Sequence, residues 1–193
     1  MMQVHTVGDS HSTSVHGSFP DWVQQNHLGP KTCYSFGIAS PRYILKNTNP
    51  GNVVIFCLGE IDCRCHVHRI ITKTKTYQYI INYIIDNYFK AVRDIAAHLG
   101  VHVYIYNVVP PSKEKDLPHA SANFPVLGSD EERKTYVLYF NKRLKEKCVE
   151  YGFHFFDIYD HYTDEEGFLM RDLSDGNVHI GNGEFIVKKL ASL

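Results

Sequence analysis

Short apolar runs alternate along the chain with longer segments of helical periodicity, and this alternation limits what the chain can fold into. The apolar runs predict strands at residues 3–7, 53–58, 101–109 and 153–158. Runs this apolar are typical of strands that are covered on both faces of a parallel sheet. Strands and helices in alternation imply right-handed crossovers. We therefore predict an α/β fold: a three-layer α/β/α sandwich with a mostly parallel sheet.

The helical segments also indicate where helices begin and end. Apolar residues recur at i, i+3 and i+4 over residues 77–99, and Gly100 follows as an expected helix stop. Ser129 begins a sequence with the spacing of a capping box, which predicts a second long helix that ends at Gly152. A short last helix is expected after Asn182.

Composition argues against several classes of protein. The length of 193 residues fits one domain over residues 1–193. The net charge is −1 with His neutral, so we expect neither a nucleic-acid partner nor binding to an anionic membrane. No apolar run approaches the ~20 residues that span a bilayer. Five cysteines without a disulfide-like spacing, and an N-terminus without a secretory signal, predict a soluble cytoplasmic protein.

Residues able to do chemistry follow the first predicted strand and precede the last predicted helix. The stretch "GDSH" carries Ser10, and "LSDGNVHI" carries Asp175 and His179. Each stretch alone is explained as well by a turn, in which Gly, Asp and Ser are ordinary residues. Together they offer a hydroxyl, an imidazole that could remove its proton, and a carboxylate that could orient the imidazole. The loop 110–128 and Glu60 are expected at the same edge of the sheet as Ser10, where such folds build their sites.

Taken in chain order, these motifs resemble the sequence blocks of the SGNH (GDSL-type) hydrolases. "VGDSH" resembles the block that bears the nucleophile, with Ser10 matched. "YSFGIAS" resembles the second block through Gly37, and "FCLGEIDCR" resembles the third through Gly59. "SDGNVH" resembles the fifth block, with Asp175 and His179 matched.

The resemblance implies a flavodoxin-like sandwich and a serine esterase that needs no cofactor and no metal. Ser10 would attack the ester carbonyl, His179 would act as general base, and Asp175 would orient His179. The N–H groups of Ser10 and Gly37, with Gly59, would hold the oxyanion. The implied substrates are small O-acyl esters, above all O-acetyl groups on carbohydrate. An O-acyltransferase of the same fold and a non-catalytic, glycan-associated domain are the alternatives.

The third block departs from the family pattern Gly-x-Asn-Asp, whose Asn donates its side-chain amide to the oxyanion. Here Ile61 stands in place of the Asn and offers no side-chain donor. Losing one such donor typically costs ~10²–10³ in rate, so another group should replace it. Arg64 is the first candidate and His66 the second.

The fifth block also departs from the family, because three residues rather than two separate Asp175 from His179. Asp172 is therefore an alternative partner for His179. Several other polar residues near the motifs could contact substrate or support the site: Asp9, His11, Glu60, Asp62 and His66.

The dense cluster of Cys63, Cys65, His66 and His68 has ligand types that zinc favours, but its spacing leaves little loop to wrap a metal. We therefore expect no metal site there. His119, in the proline-rich loop, could reach the site as part of a lid.

Overall fold

Five parallel strands form the centre of the structure, a computed structural model that describes residues 2–39, 45, 47–117 and 122–193. The strands are β1 Val4–Gly8, β2 Gln24–His27, β3 Val53–Cys57, β4 His102–Tyr106 and β5 His154–Phe156. Their order in the sheet is β2-β1-β3-β4-β5, which is the order of flavodoxin-like folds. Because every neighbouring pair is parallel, all the carboxyl ends of the strands lie at one edge.

Helices cover both faces of this sheet, so the predicted three-layer α/β/α sandwich is confirmed. The helices are α1 Cys33–Ala39, α2 Val67–Ile70, α3 Tyr77–Leu99, α4 Asp130–Tyr151 and α5 Glu184–Leu190. Side chains of α1, α3 and α4 pack on one face of the sheet. The opposite face is covered by α5 together with Phe19, Val23 and parts of the loop after β5. Among the described helices, none combines the length and apolar character needed to cross a bilayer.

The two long helices begin and end where the sequence predicts. The side chain of Thr76 accepts a hydrogen bond at the start of α3, and Gly100 ends the helix in a left-handed conformation with φ 66°. Ser129 forms the expected capping box at the start of α4. Gly152, with φ 69°, ends that helix. The predicted strands at residues 101–109 and 153–158 are shorter in the structure than their apolar runs.

The sequence analysis does not predict strand β2 or the short helices α1 and α2. The sequence of β2 is QQNH, which contains no apolar residue, and its neighbour in the sheet is β1 alone. An edge strand buries little surface, so its sequence needs no apolar alternation. Helix α1 has only seven residues, too few to show a clear helical period.

Two contacts fix α1 within the sandwich. Gly37 lies inside the helix, and a Cβ there would come 2.8 Å from backbone atoms of Asn87 and Tyr88 on α3. Asp62, which follows β3, accepts hydrogen bonds at the other end of α1 from the N–H groups of Cys33 at 2.6 Å and Tyr34 at 3.2 Å. The missing side chain of Gly37 therefore lets α1 approach α3, and a buried carboxylate caps the helix.

We expect Gly37→Ala to lower the free energy of unfolding by about 1–3 kcal/mol, because the added methyl group overlaps the backbone of α3. In a helix without this close contact, the same change would raise the free energy of unfolding by about 1 kcal/mol. The sign of the change therefore shows whether the contact with α3 constrains position 37. Urea unfolding followed by circular dichroism measures it. Ile38→Ala, at a position 56% exposed on the same helix, is the control and should change stability by less than about 0.5 kcal/mol. A stabilised Gly37→Ala protein would contradict the packing role.

Candidate active site

Ser10 lies at the carboxyl end of β1, where a 3-10 turn over Ser10–Ser12 begins. Gly8 allows the end of β1 to lie close to β3, because a Cβ at this position would come 1.9 Å from the carbonyl oxygen of Cys57 on β3. Asp9 fixes the turn by accepting a hydrogen bond from the N–H of His11 at 2.9 Å. The nucleophile predicted from "GDSH" is thus held in a short, tightly bonded turn between strand and loop.

Two hydrogen bonds connect Ser10, His179 and Asp175 in series. The Oγ of Ser10 lies 2.9 Å from Nε2 of His179, although 169 positions separate the two residues in the chain. The Nδ1 of His179 lies 2.8 Å from a carboxylate oxygen of Asp175. The structure therefore brings together the three residues that the sequence assigns to a triad.

The longer spacing between Asp175 and His179 is absorbed by a turn. The other carboxylate oxygen of Asp175 accepts the N–H groups of Asn177 at 2.8 Å and of His179 at 3.3 Å. A bridge between Ser174 and Ile180 closes the same loop. Among the described contacts, Asp172 makes no hydrogen bond to His179, so Asp175 is the carboxylate that orients the imidazole.

Burial and neighbouring charges tune the triad. Burial lowers the pKa of His179 below 6.5, the nearby His11 lowers it further, and the carboxylate of Asp175 opposes both effects. Burial raises the pKa of Asp175, but the N–H donors of its loop and the bond to His179 outweigh this and hold the pKa below its usual value. Both pKa shifts have the direction that general-base catalysis by His179 would require.

A cavity of about 430 Å³ opens beside Ser10 and His179. Its apolar wall consists of Pro30, Ile61, Leu117, Phe124, Val126 and Val178. Its polar lining consists of His16, His27, Glu60, Arg64, Asn123 and Asn177. The described part of the loop 110–128 thus lies at the same edge of the sheet as Ser10 and Glu60, as the sequence predicts.

Arg64 lines this cavity, but its guanidinium is largely occupied. Nε and Nη2 donate to Glu60 at 2.7 and 3.2 Å, and Nη1 donates to the carbonyl oxygen of Phe124. The carbonyl oxygen of Arg64 accepts the N–H of Leu127 at 3.0 Å. Burial raises the pKa of Glu60, but the Arg64 guanidinium, together with His11 and His179, outweighs burial and lowers the pKa overall. The sequence analysis expects Arg64 to donate to the oxyanion. Its hydrogen bonds instead anchor the segment 122–127, which forms part of the cavity wall.

Three residues predicted near the site lie elsewhere. Gly37 is inside α1, where an interior N–H bonds to the carbonyl four residues earlier, so it is not available to an oxyanion. His66 packs against Tyr34, with ring centres 4.7 Å apart, and does not line the cavity. Asp62 is fully buried at the start of α1, and burial raises its pKa to about 7. These two polar residues support α1 rather than contact substrate.

The remaining predicted residues lie close to the triad. Glu60 and Ile61 line the cavity, and Gly59 precedes them with φ 122°, a conformation that suits glycine. Asp9 and His11 are both buried, and Nδ1 of His11 lies 3.1 Å from a carboxylate oxygen of Asp9. The ring of His11 lies 4.8 Å from that of His179.

The sequence analysis missed the part of the site that follows β2. His27 and Pro30 line the cavity, and Gly29 between them has φ 73°. The dipeptide Gly29-Pro30 is a turn signal that could have marked the end of a strand. His16 also lines the cavity, 5.1 Å from the ring of His179, and no local pattern in the sequence indicates this.

Two groups of side chains offer atoms of the kinds that bind metals: the Cys63–His68 stretch and the residues around His179. Within the described residues, one group of potential ligands has its donor atoms within 4.8 Å of one another: His16, Asp175 and His179. The Cys63–His68 stretch does not converge in this way, and its cysteines are buried. His119 lies outside the described residues.

Comparison with known proteins gives a likeness in structure but not in sequence. No family model and no curated protein matches the chain. A GDSL-like lipase from Bacteroides thetaiotaomicron superposes with a TM-score of 0.68 at 14% identity, over 97% of this chain and 84% of that one. A member of the lipolytic G-D-S-L family from Veillonella parvula gives 0.62 at 15% identity, over 100% and 98%. An extracellular lipase from Streptomyces rimosus gives 0.58 at 14% identity, over 100% and 99%.

These likenesses agree with the α/β/α architecture and with the strand order of the sheet. All three solved structures are described as lipases or lipolytic proteins, and each matches nearly the whole of this chain. The resemblance predicted from the sequence is therefore confirmed at the level of fold. The chain has the fold of the SGNH (GDSL-type) hydrolases.

Proposed function

We propose that the protein is a serine ester hydrolase in which Ser10 is the nucleophile and His179 the general base. The observation that carries this proposal is the pair of hydrogen bonds, 2.9 Å from Ser10 to His179 and 2.8 Å from His179 to Asp175, beside an open cavity. A serine with only a structural role in a turn would not need an imidazole bonded to its hydroxyl, or a carboxylate bonded to that imidazole. The arrangement is the one that activates a hydroxyl for attack.

The proposed reaction proceeds through an acyl-enzyme. Nε2 of His179 takes the proton of Ser10 as Oγ bonds to the ester carbonyl carbon. The tetrahedral intermediate collapses, the C–O bond to the alcohol breaks, and His179 gives its proton to the departing oxygen. Water, deprotonated by His179, then attacks the acyl group and releases the acid with Ser10 restored. If a sugar hydroxyl replaced water in the second half, the same site would be an O-acyltransferase.

Backbone N–H groups are the proposed oxyanion donors. Those of Ser10, Gly29 and Gly59 donate to no acceptor within the described part of the chain. Gly29 follows β2 at the cavity rim and replaces Gly37 in this proposal. Ile61 adds no side-chain donor, so the oxyanion would depend on backbone groups alone.

The proposed substrates are small O-acyl esters, with O-acetyl groups on carbohydrate as the class to test first. The apolar wall of the cavity supports this, since residues such as Ile61 and Phe124 suit an acyl group. Asn123, Asn177 and His27 offer hydrogen bonds for the hydroxyl groups of a sugar. The family resemblance points to the same class of ester.

A fluorophosphonate probe tests the nucleophile. We expect the folded protein to become covalently labelled at Ser10, because His179 activates that hydroxyl, and intact-protein mass spectrometry measures the adduct. Ser10→Ala should abolish labelling. The control is Ser14→Ala, a nearby serine outside the triad, which should retain labelling. A folded protein without an adduct at Ser10 would contradict the proposal and favour a non-catalytic domain.

The pH dependence follows from the sign of the His179 shift. The general base must be unprotonated, and burial lowers the pKa of His179 below 6.5. We therefore expect kcat/KM for p-nitrophenyl acetate to rise with pH and to reach half its plateau below pH 6.5. Asp175→Asn should lower the plateau by orders of magnitude, whereas Asp172→Asn should leave it unchanged. A midpoint above 6.5 would contradict this electrostatic account.

Restoring the family's amide at position 61 tests the oxyanion hypothesis. Ile61 lines the cavity, so the side chain in Ile61→Asn should supply an extra donor and raise kcat by about tenfold or more. Steady-state kinetics with p-nitrophenyl acetate measures the change, and Ile61→Leu controls for altered shape. Equal kcat in both variants would show that position 61 does not face the oxyanion.

A further inference from the structure

A second acid–histidine pair lies beneath the triad and takes no part in the proposed reaction. Asp9 is 1% exposed and His11 is 4% exposed. Nδ1 of His11 lies 3.1 Å from Asp9, and the backbone N–H of His11 donates to the same carboxylate oxygen at 2.9 Å. On its other side, Nε2 of His11 lies 3.5 Å from the carbonyl oxygen of Val178. His11 therefore connects the turn of the nucleophile to the loop of the base.

The partners of His11 indicate its protonation state. A carboxylate and a carbonyl can only accept hydrogen bonds, so the contacts at 3.1 Å to Asp9 and 3.5 Å to Val178 favour a ring with a proton on both nitrogens. His11 with two N–H groups is an imidazolium cation. Burial lowers the pKa of His11, but the charges of Asp9 and Glu60 and the bond to Asp9 outweigh burial and raise it overall. The hydrogen-bond pattern and the surrounding charges thus agree.

This cation faces the general base directly. The ring of His11 lies 4.8 Å from that of His179, at an interplanar angle of 46°. The other titratable groups around His179 are Asp175 on its own loop, Ser10 on the turn after β1, His16 in the following segment, and Glu60 after β3 with its partner Arg64. Asp9 lies behind His11. Of these groups, the carboxylates favour a protonated His179, and the His11 imidazolium opposes it.

We propose that His11, held by Asp9, is a positioning residue for His179: it supports the loop through Val178 and presents a buried positive charge to the imidazole. The proposal rests on the proposed function, because it gives His179 the role of general base. Two like charges at this separation repel strongly in a partly buried site. His11 thus keeps His179 in the unprotonated form that can accept the proton of Ser10.

Nitrogen NMR of the unmodified protein, labelled with ¹⁵N-histidine, tests the charge directly. His11→Phe and His179→Asn spectra assign the two rings. Near pH 7 we expect His11 to show two protonated nitrogens and His179 to show one. A neutral His11 ring at that pH would overturn the proposal.

The variant His11→Phe tests the coupling between the two rings. Phenylalanine retains a ring beneath His179 but removes the charge, so the titration midpoint of His179 should rise by about one pH unit or more. The acid limb of kcat/KM should move in the same direction, which a merely structural role would not produce. His5→Gln, at a buried histidine earlier on β1, is the matched control and should leave the midpoint unchanged. An unchanged midpoint in folded His11→Phe would overturn the proposal.

Asp9→Asn provides a second route if His11→Phe does not fold. Without the carboxylate, His11 loses its proton at lower pH, so the midpoint of His179 should again rise, by less than in His11→Phe. A fall or no change would count against the proposal. Because NMR reads His179 without any turnover, the two hypotheses fail separately. A protein with coupled histidines but no adduct at Ser10 would refute the hydrolase alone.

Discussion

The arrangement of the site depends on how closely the chain passes its neighbour at Gly8. A side chain at that position would overlap the carbonyl oxygen of Cys57, so β1 could not turn there while remaining paired with β3. The N–H of Asp9 then bonds to that same carbonyl oxygen at 3.3 Å. The cap by Asp9 and the 3-10 turn that carries Ser10 are therefore held in a fixed position relative to β1 and β3.

The carboxyl edge of the sheet contains a series of acidic side chains, each bonded to a basic side chain. Asp9 pairs with His11, Glu60 with Arg64, and Asp175 with His179. A buried charge without a partner would be costly. Arg64 also bonds to the carbonyl oxygen of Phe124, and His11 approaches that of Val178, so two of these pairs reach a second segment of chain. These contacts fix the local conformation of the chain at this edge, and the charged groups among them shift the pKa of the imidazole beside Ser10.

Much of the architecture could be predicted because the long elements carry strong periodic and capping signals, as α3 and α4 do. Ser10, Asp175 and His179 could be found because each stands in a short motif and the motifs occur in family order. Gly37 was assigned wrongly, since a glycine that permits close helix packing looks the same in sequence as one that donates an N–H. The polar strand β2 and the histidines at positions 16 and 27 had no pattern of their own. Only the folded chain brings those two histidines to the cavity.

Asp175 and His179 lie on one small loop that the Ser174–Ile180 bridge closes. The carboxylate bonds to the backbone of its own loop as well as to the imidazole. The base and the group that orients it are consequently one preassembled unit, whose internal geometry does not depend on contact with Ser10. In the proposed reaction, a displacement of that loop would remove the general base and its carboxylate together and leave Ser10 without activation. The proposed activity therefore depends on how the loop 174–180 and the turn of Ser10 meet.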